Sequence, residues 1–352
     1  MTERPISWDE IFEKLTEKQN LSDLQINWAM SQILDGLANN DQIKNFLLLL
    51  KAKGEKPSEV RALVDVMYQR GIAINIAERA VDIVGTGGDG ASTINISTTA
   101  AIITTAAGAR TIKHGNRAAS SKSGAADLLE ALGIDISLGA EQIQECVRRI
   151  GIGFAFAPVF HPAMKNAASA RRELATPTVF NILGPLANPA KPKAVAIGVA
   201  RAELLELVVT VLAERGCEGF IFRGDDGLDE ISLSTTSTIF QINNGEITRH
   251  IFDPSELGLE RVGIEELRGG SPGENADITR AIFAGRGGAY RQAVLLNAAA
   301  AIAAFKADFH LGLTQQLANG YTLAKQAVDS GAAAQLVERW ANLSTELAKS
   351  SL

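Results

Sequence analysis

Between residues 81 and 126 the chain gathers the residue types that hold an anion. A short β-branched run at 81–84 stops at Gly85, Gly87 and Gly88, three glycines in four residues. A helical pattern then starts among Ser and Thr and runs through 100–107, with Gly108 to end it. Strand, glycine turn and helix start make a phosphate cradle. Glycines let the backbone come close, and the helix's first unpaired N–H groups and positive dipole end face the anion. From Gly90 to Ala126 there is no Asp or Glu, while Arg110, Lys113, Arg117 and Lys122 are present, in a chain of formal net charge −6. This reads as a cationic window kept for an anionic ligand.

Gly85, Gly87 and Gly90 also satisfy the dinucleotide fingerprint G-x-G-x-x-G. That fingerprint needs an acidic residue about 20 positions on, at the end of the next strand, to hold a ribose hydroxyl. Here the next strand, 111–113, ends in Lys-His-Gly-Asn-Arg, and the first acid after Asp89 is Asp127. A nicotinamide site is therefore set aside. No Gly-Lys-Ser/Thr follows, so the loop is not a Walker A either.

Three further clusters carry chemistry. Lys113 to Arg117 follow the 111–113 strand and lead into Ala118, Ala119, Ser120 and Ser121. Lysine supplies a point charge, Asn116 an orienting amide and the serines short hydroxyls. Ligands gather beyond the carboxyl ends of strands in open α/β sheets, which favours a binding loop over a solvated one. His114 taken alone reads as structural. A second loop, 224–230, also follows a strand and carries Asp225, Asp226, Asp229 and Glu230. Hard carboxylate oxygens bind Mg2+, which in turn bridges phosphates. Asp229 and Glu230 are read as metal ligands, Asp225 and Asp226 as a polar surface turn. The third cluster, Arg171-Arg-Glu173, reads alone as surface charge, although arginine offers a planar two-pronged grip for a carboxylate.

The elements that must position these residues follow from periodicity. Residues 1 to about 75 read as helices only, with capping boxes at Ser7–Glu10 and Ser22–Gln25, stops at Gly36, Gly54 and Gly71, and a start at Pro57. Trp8 and Trp28 read as packing residues. From about 77 the pattern alternates: strands at 81–84, 111–113, 134–137, 154–157, 194–199 and 219–222, with helices at 123–132, 141–150 and 202–215 between them. That alternation implies a mostly parallel sheet with helices on both faces. Asn243-Asn244-Gly245 marks a hairpin within 237–252, 158–192 is irregular, and helices near 291–306 and 331–347 close the chain.

With 352 residues, 46% hydrophobic and 21% charged, the chain suits one large soluble domain or two smaller ones. Cys146 and Cys217 have no ligand-like spacing, so a disulfide framework or zinc site is not expected and a reducing cytoplasm is. The first residues lack the apolar core of a signal peptide, and no stretch approaches about 18 uninterrupted apolar residues.

Taken together, the motifs resemble a known family. Gly-Thr-Gly-Gly-Asp (85–89), Asn-Ile-Ser-Thr (95–98), Lys-His-Gly-Asn-Arg (113–117) with Ser120-Ser121, His-Pro-Ala-Met-Lys (161–165), Arg-Arg-Glu-Leu (171–174), Phe-Asn-Ile-Leu-Gly-Pro-Leu (180–186) and Asp-Gly-Leu-Asp-Glu (226–230) stand in one order. In that order the chain is similar to the anthranilate phosphoribosyltransferases, within the fold shared with pyrimidine nucleoside phosphorylases. The likeness spans almost the whole length, with Gly269-Gly270, Asn275-Ala276 and Leu296-Asn297-Ala298 included.

The resemblance implies a glycosyltransferase of the pentosyl type in tryptophan biosynthesis, which joins anthranilate to phosphoribosyl pyrophosphate and releases pyrophosphate. By that likeness the donor is held by Gly85, Gly88, Asp89, Thr93, Asn95, Ile96, Ser97 and Thr98. A second donor stretch is Lys113, His114, Gly115, Asn116, Arg117, Ala118, Ala119, Ser120 and Ser121, with Ala125 beyond it. Ser97, Asp229 and Glu230 are implied as Mg2+ ligands, and Gly85, Asn116 and Arg171 as anthranilate contacts, with Arg171 on its carboxylate. Ala125 stands where the family often has Ser, and Ile94 where Phe is common; the first removes one minor donor hydrogen bond. No general base is nominated, because the arylamine is already nucleophilic and metal-bound pyrophosphate leaves well. The implied architecture is a small all-helical N-terminal domain (1–75, joined by part of 165–190) hinged to a large α/β domain (76–164 and 191–352). A homodimer through the helical domain is also implied.

Two rivals share parts of the pattern. A nucleoside phosphorylase needs a base pocket in place of a carboxylate grip, so Arg171 and Asn116 discriminate. A non-catalytic relative binding nucleotide or nucleic acid would show broad basic surfaces and eroded metal carboxylates. Neither membrane nor nucleic acid is expected as a partner of this acidic chain.

Overall fold

The computed structural model describes residues 5–118, 121–174 and 176–350. Four helices open it, Trp8–Thr16, Asp23–Leu34, Asn40–Lys53 and Pro57–Arg70. Their starts follow the capping chemistry. Ser7 accepts from the Glu10 N–H at 3.3 Å, Ser22 and Gln25 close a reciprocal box, and Pro57 supplies a preset φ in the first turn. Gly54 and Gly71 end the third and fourth helices. Trp8 packs against the rings of Phe12, Trp28 and Phe46 at 5.5, 5.2 and 6.0 Å, as a core residue would.

The seven-stranded sheet comprises β1 Val81–Gly85, β2 Thr111–Gly115, β3 Ile152–Phe156, β4 Ala194–Gly198, β5 Glu218–Gly224, β6 Ser237–Asn243 and β7 Glu246–Phe252, in the order β3-β2-β1-β4-β5-β6-β7. The first five positions pair in parallel and the last two strands are antiparallel. The β6–β7 turn places Asn244 at φ 49° and Gly245 at φ 81°, the primed turn that Asn-Gly favours. One face of the sheet packs on the helices Ile96–Ala106 and Ala289–Lys306, in a core that includes Val81, Ile83, Ala194 and Ala196. The other face packs on Ala202–Glu214 through Val195 and Ile197, and this second core runs on into the four opening helices. Apolar cover on both sides explains why β4 is buried at every position. Among the described residues no helix is long and apolar enough to cross a membrane.

Several elements depart from the sequence expectations. Residues 134–137 form no strand. Ile134, Ile136 and Leu138 are buried in alternation, but β2 pairs directly with β3 and leaves that segment no place in the sheet. The β2 strand runs on to Gly115, so Lys113 and His114 belong to the strand and not to the loop after it. The next helix begins at Ala125 rather than 123. The 158–192 segment is mostly folded, into the short helices Ala157–Phe160, Ala168–Leu174 and Phe180–Leu186 with a 3-10 turn at Pro162–Ala167. Ala167, Ala170, Phe180 and Leu183 from it join the core of the opening helices. Helices Pro272–Phe283 and Leu313–Asp329 had no counterpart in the periodicity reading.

Candidate active site

Strand order reverses between β1 and β4: β2 and β3 extend the sheet on one side of β1, β4 and β5 on the other. A crevice outside the carboxyl ends of two such strands is where open α/β sheets bind ligands. Gly85 and Gly198 end these strands and pair in register. Neither has room for a side chain. A Cβ on Gly85 would lie 2.1 Å from Asp229 Oδ2, and one on Gly198 would lie 1.7 Å from the Asp229 carbonyl oxygen. Two missing side chains thus let the loop after β5 lie across both strand ends, with Asp229 and Glu230 only 8% and 7% exposed. Asp229 Oδ2 accepts the Gly87 N–H at 2.6 Å, so the glycine turn and the acidic loop form one construction.

The glycine turn needs its glycines. Gly87, Gly88 and Gly90 take φ of 71°, 83° and 74°, a region strained for other residues. Asp89 Oδ1 accepts from the Ala91 N–H at 3.1 Å and shapes the turn from within. Thr93 bridges to Arg268, and the Gly269 N–H donates to Ser92 O at 2.9 Å, which stitches the turn to the 267–270 segment. Asn95 heads the following helix without capping it. Its Oδ1 accepts from Ser123 Oγ at 3.0 Å and from Asn275 Nδ2 at 2.9 Å, and its Nδ2 donates to Ser123 O at 2.9 Å. Ile96 and Thr98 are buried. The Ser97 N–H is directed to the Glu230 carboxylate, so Ser97, Asp229 and Glu230 come together as expected.

This group is short of positive charge. Burial first, and the Asp89 carboxylate next, push the Asp229 carboxyl up to about 7. Burial and Asp229 push Glu230 well above the usual carboxylate range, with Lys113 acting against them. Lys113 is buried in turn. Its Nζ donates to Ile83 O at 2.6 Å and to Ser97 Oγ at 3.3 Å; burial lowers its pKa while Asp82, Glu230 and Asp229 raise it. It therefore stands as an internal counter-charge beneath the crevice, not as an arm on a loop. Asp225 and Asp226 behave as turn residues, with Asp226 Oδ1 accepting from the Leu228 N–H at 3.2 Å.

The cationic window does not converge. Arg110 lies at the start of β2, at the opposite end of the sheet, and pairs with Glu78 at 3.5 Å. Arg117 pairs with Asp127 at 2.9 Å and Glu130 at 2.5 Å. A window cut at Ala126 overlooks the acids that the next helix folds back. Around them, Ala118 and Gly124 donate N–H groups to Asp127 Oδ2 at 3.0 and 2.8 Å, and Ser121 Oγ donates to Ser123 O at 3.2 Å. Ala119 and Ser120 lie outside the described residues. Asn116 is exposed at the strand end, with Oδ1 accepting from the Arg117 N–H at 2.7 Å. A Cβ on Gly115 would meet Phe154 at 2.8 Å and Ala125 Cβ at 3.1 Å, so Ala125 packs beside that strand end. The His114 side chain turns away from the donor crevice, its Nδ1 2.8 Å from Gly184 O and its ring 5.3 Å from that of His161.

Arg171 sits on Ala168–Leu174, exposed, 5.9 Å from the centre of the Phe180 ring. Protein crowding pushes its pKa down, although its surface is open to solvent. The nearby carboxylate, Glu173, is taken by Lys44 and Asn40, each at 2.9 Å. Sequence reasoning missed Gly198 and gave Asn297 no task. Asn297, on Ala289–Lys306, holds both backbone groups of Ile231, the residue after Glu230: its Oδ1 accepts from the Ile231 N–H at 2.9 Å and its Nδ2 donates to Ile231 O at 3.1 Å. A glycine closing an otherwise fully apolar run, 194–198, was the available signal for the first.

Comparison with known proteins shows the family and the fold. A family model described as glycosyl transferase family, a/b domain, matches residues 77–334, and one for the helical bundle domain of the same family matches residues 9–71. An anthranilate phosphoribosyltransferase of Rhodococcus jostii is 50% identical over 344 residues, 98% of this chain and 95% of the relative. One of Nocardia farcinica is 48% identical, over 95% and 98%. Among solved structures, the Thermus thermophilus anthranilate phosphoribosyltransferase superposes with a TM-score of 0.88 at 36% identity, covering 95% of this chain and 99% of that one. The Saccharomyces cerevisiae enzyme in complex with PRPP and Mg gives 0.88 at 27% identity, covering 96% and 98%.

Proposed function

The chain belongs to this glycosyl transferase family, and from that premise we propose that it transfers the phosphoribosyl group of phosphoribosyl pyrophosphate to anthranilate, releasing pyrophosphate, as a step of tryptophan synthesis. The observation that carries the reading is the meeting of the glycine turn with a buried acid pair, Asp229 Oδ2 on the Gly87 N–H at 2.6 Å, at the carboxyl ends of β1 and β4. A turn built to admit an anion, set against carboxylates built to hold a cation, suits a metal-bound diphosphate.

The donor set fits Mg2+. Ser97 Oγ, Asp229 and Glu230 are hard oxygen donors, and two adjacent buried carboxylates beside Asp89 lack charge compensation that a divalent cation supplies. One hydroxyl and two carboxylates leave positions for water and substrate oxygens, as Mg2+ prefers. When bound, the ion stabilises the charge that builds on departing pyrophosphate.

The chain's own residues do the positioning. Gly85, Gly88, Asp89, Thr93 and the 95–98 helix start receive the donor, with Lys113 as the fixed charge beneath. The strand end Gly115 to Ala118, together with Ser121 and Ala125, is assigned to its ribose side. Arg171 takes the anthranilate carboxylate, helped by Gly85 and Asn116, and so aims an amine that needs no deprotonation before attack. We assign residues 1–75 and part of 165–190 to the helical domain, and 76–164 and 191–352 to the α/β domain. A cytoplasmic homodimer formed through the helical domain completes the reading, with Leu24, Leu37 and Leu48, 71%, 67% and 41% exposed, as candidate contacts.

Mixing the purified chain with anthranilate, phosphoribosyl pyrophosphate and Mg2+ should quench anthranilate fluorescence as product forms. Steady fluorescence with each component present would overturn the proposal.

A further inference from the structure

A cavity of about 340 Å3 lies beneath the sheet, at the end opposite the glycine turn. Three parts of the chain wall it: Tyr68 from the opening helices, the crossover before β4, and the 215–217 turn before β5. Its floor is apolar, with Leu186 and Leu212 buried. Concave, apolar, with a few convergent polar groups, it has the character and volume of a small-molecule site.

The polar groups are mostly cations. Lys191 and Arg215 both stack on the Tyr68 ring, with Lys191 Nζ 4.4 Å and Arg215 Cζ 4.5 Å from its centre. Arg215 is answered by Asp65 at 3.1 Å. Lys193, the third cation of the lining, shares Glu218 with Arg79, at 2.7 and 2.8 Å. Among the described residues Lys191 alone of the three has no carboxylate within 4 Å, and it takes a φ of 47° to stand there. The one acid of the lining, Asp82, is buried and turned into the protein's own donors: Asn188 Nδ2 at 2.8 Å and the His114 N–H at 3.3 Å. Arg215 and Lys193 are thus already paired, and the cavity offers Lys191 as its one unanswered cation among the described residues, beside an internally satisfied carboxylate.

We infer that this cavity is a second ligand site, for an aromatic monocarboxylate whose carboxylate pairs with Lys191 and whose ring lies among Tyr68, Leu186 and Leu212. An occupant touches the helical unit and the sheet at once, so it acts on how the two are set rather than by competing in the crevice. The inference is independent of the transfer reaction.

The probe is 4-fluorobenzoate, followed by ligand-observed fluorine NMR with the full chain. Because an aromatic carboxylate also fits the proposed Arg171 grip, the test is run in Arg171→Ala protein. There the probe should still bind, and adding Lys191→Glu should weaken it by roughly tenfold or more, the loss expected when one charged partner is reversed. Tyr68→Leu, which removes the ring that Lys191 stacks on, should weaken it too. Failure of the probe to bind Arg171→Ala protein, or binding unmoved by Lys191→Glu with the fold intact by circular dichroism, overturns the site. The fluorescence assay for transfer is read separately, so either conclusion can fail alone.

Discussion

At the scale of single residues, the proposed chemistry rests on groups left without partners. Among the described residues Arg171 makes no ion pair, and Glu173 two positions on is held by Lys44 and Asn40. Arg171→Ala should raise KM for anthranilate by roughly 10- to 100-fold, the worth of a charged hydrogen-bonded contact. KM for the phosphoribosyl donor should move little, and equal rises in both would remove the assigned role. Asp229→Ala with Glu230→Ala should abolish the Mg2+ dependence of turnover, which a metal titration of initial rates reads directly. A buried imidazole carries a pH effect. His114 is buried, its Nε2 has no hydrogen-bond partner among the described residues, and burial pushes its pKa down to about 3. Unfolded, it titrates near 6.5, so the unfolded chain takes the proton first as pH falls. The stability this neutral imidazole contributes is complete above about pH 6.5 and is lost towards pH 3, at up to about 1.4 kcal/mol per unit. In His114→Asn protein the midpoint of thermal unfolding should therefore fall less steeply between pH 6.5 and 4 than in the parent chain.

At the scale of elements, the crevice exists because β1 and β4 end in glycine beneath the acidic loop. Gly198→Ala would put a methyl where the Asp229 carbonyl stands, at 1.7 Å, so backbone must move. Overpacking of this kind costs about 1–3 kcal/mol. The expected result is a folded chain with a lowered melting point whose Mg2+ requirement rises several-fold; an unchanged Mg2+ titration would separate the strand ends from the metal site. This is also where the reading of the sequence stopped. Gly87, Gly88 and Gly90 were legible, because a positive φ leaves a local mark: glycines clustered after a β-branched run. Gly198 was not, because its constraint comes from a loop about 30 residues away that packs onto it. The same holds for Arg117 and Arg110, whose neutralising acids are supplied by folding, and for 134–137, where alternation marked burial and not pairing. Helices Pro272–Phe283 and Leu313–Asp329 escaped notice while the capped, strongly periodic helices of residues 8–70 did not.

At the scale of the molecule, two cores meet in one sheet. The α/β core lies on one face; the other face shares its core with the opening helices and with the segment that bears Arg171. The proposed acceptor grip and the proposed donor cradle therefore belong to different packing units joined through the β4 side of the sheet. The opening helices bury their own stripes yet leave Leu24, Leu37 and Leu48 in water, at 71%, 67% and 41% exposure. Burying each such leucine is worth about 1.5–3 kcal/mol, enough for a few of them to drive association once the shape fits. If the helical unit is the dimer contact, Leu24→Glu, Leu37→Glu and Leu48→Glu together should convert a species near twice the chain mass of 37.3 kDa into one at that mass in sedimentation equilibrium. Charge at these exposed positions leaves the interior packing alone, so the far-ultraviolet circular dichroism should not change. A triple variant that keeps the dimer mass would move the contact elsewhere, with the exposed Ile247 and Ile251 on edge strand β7 as the next surface to charge.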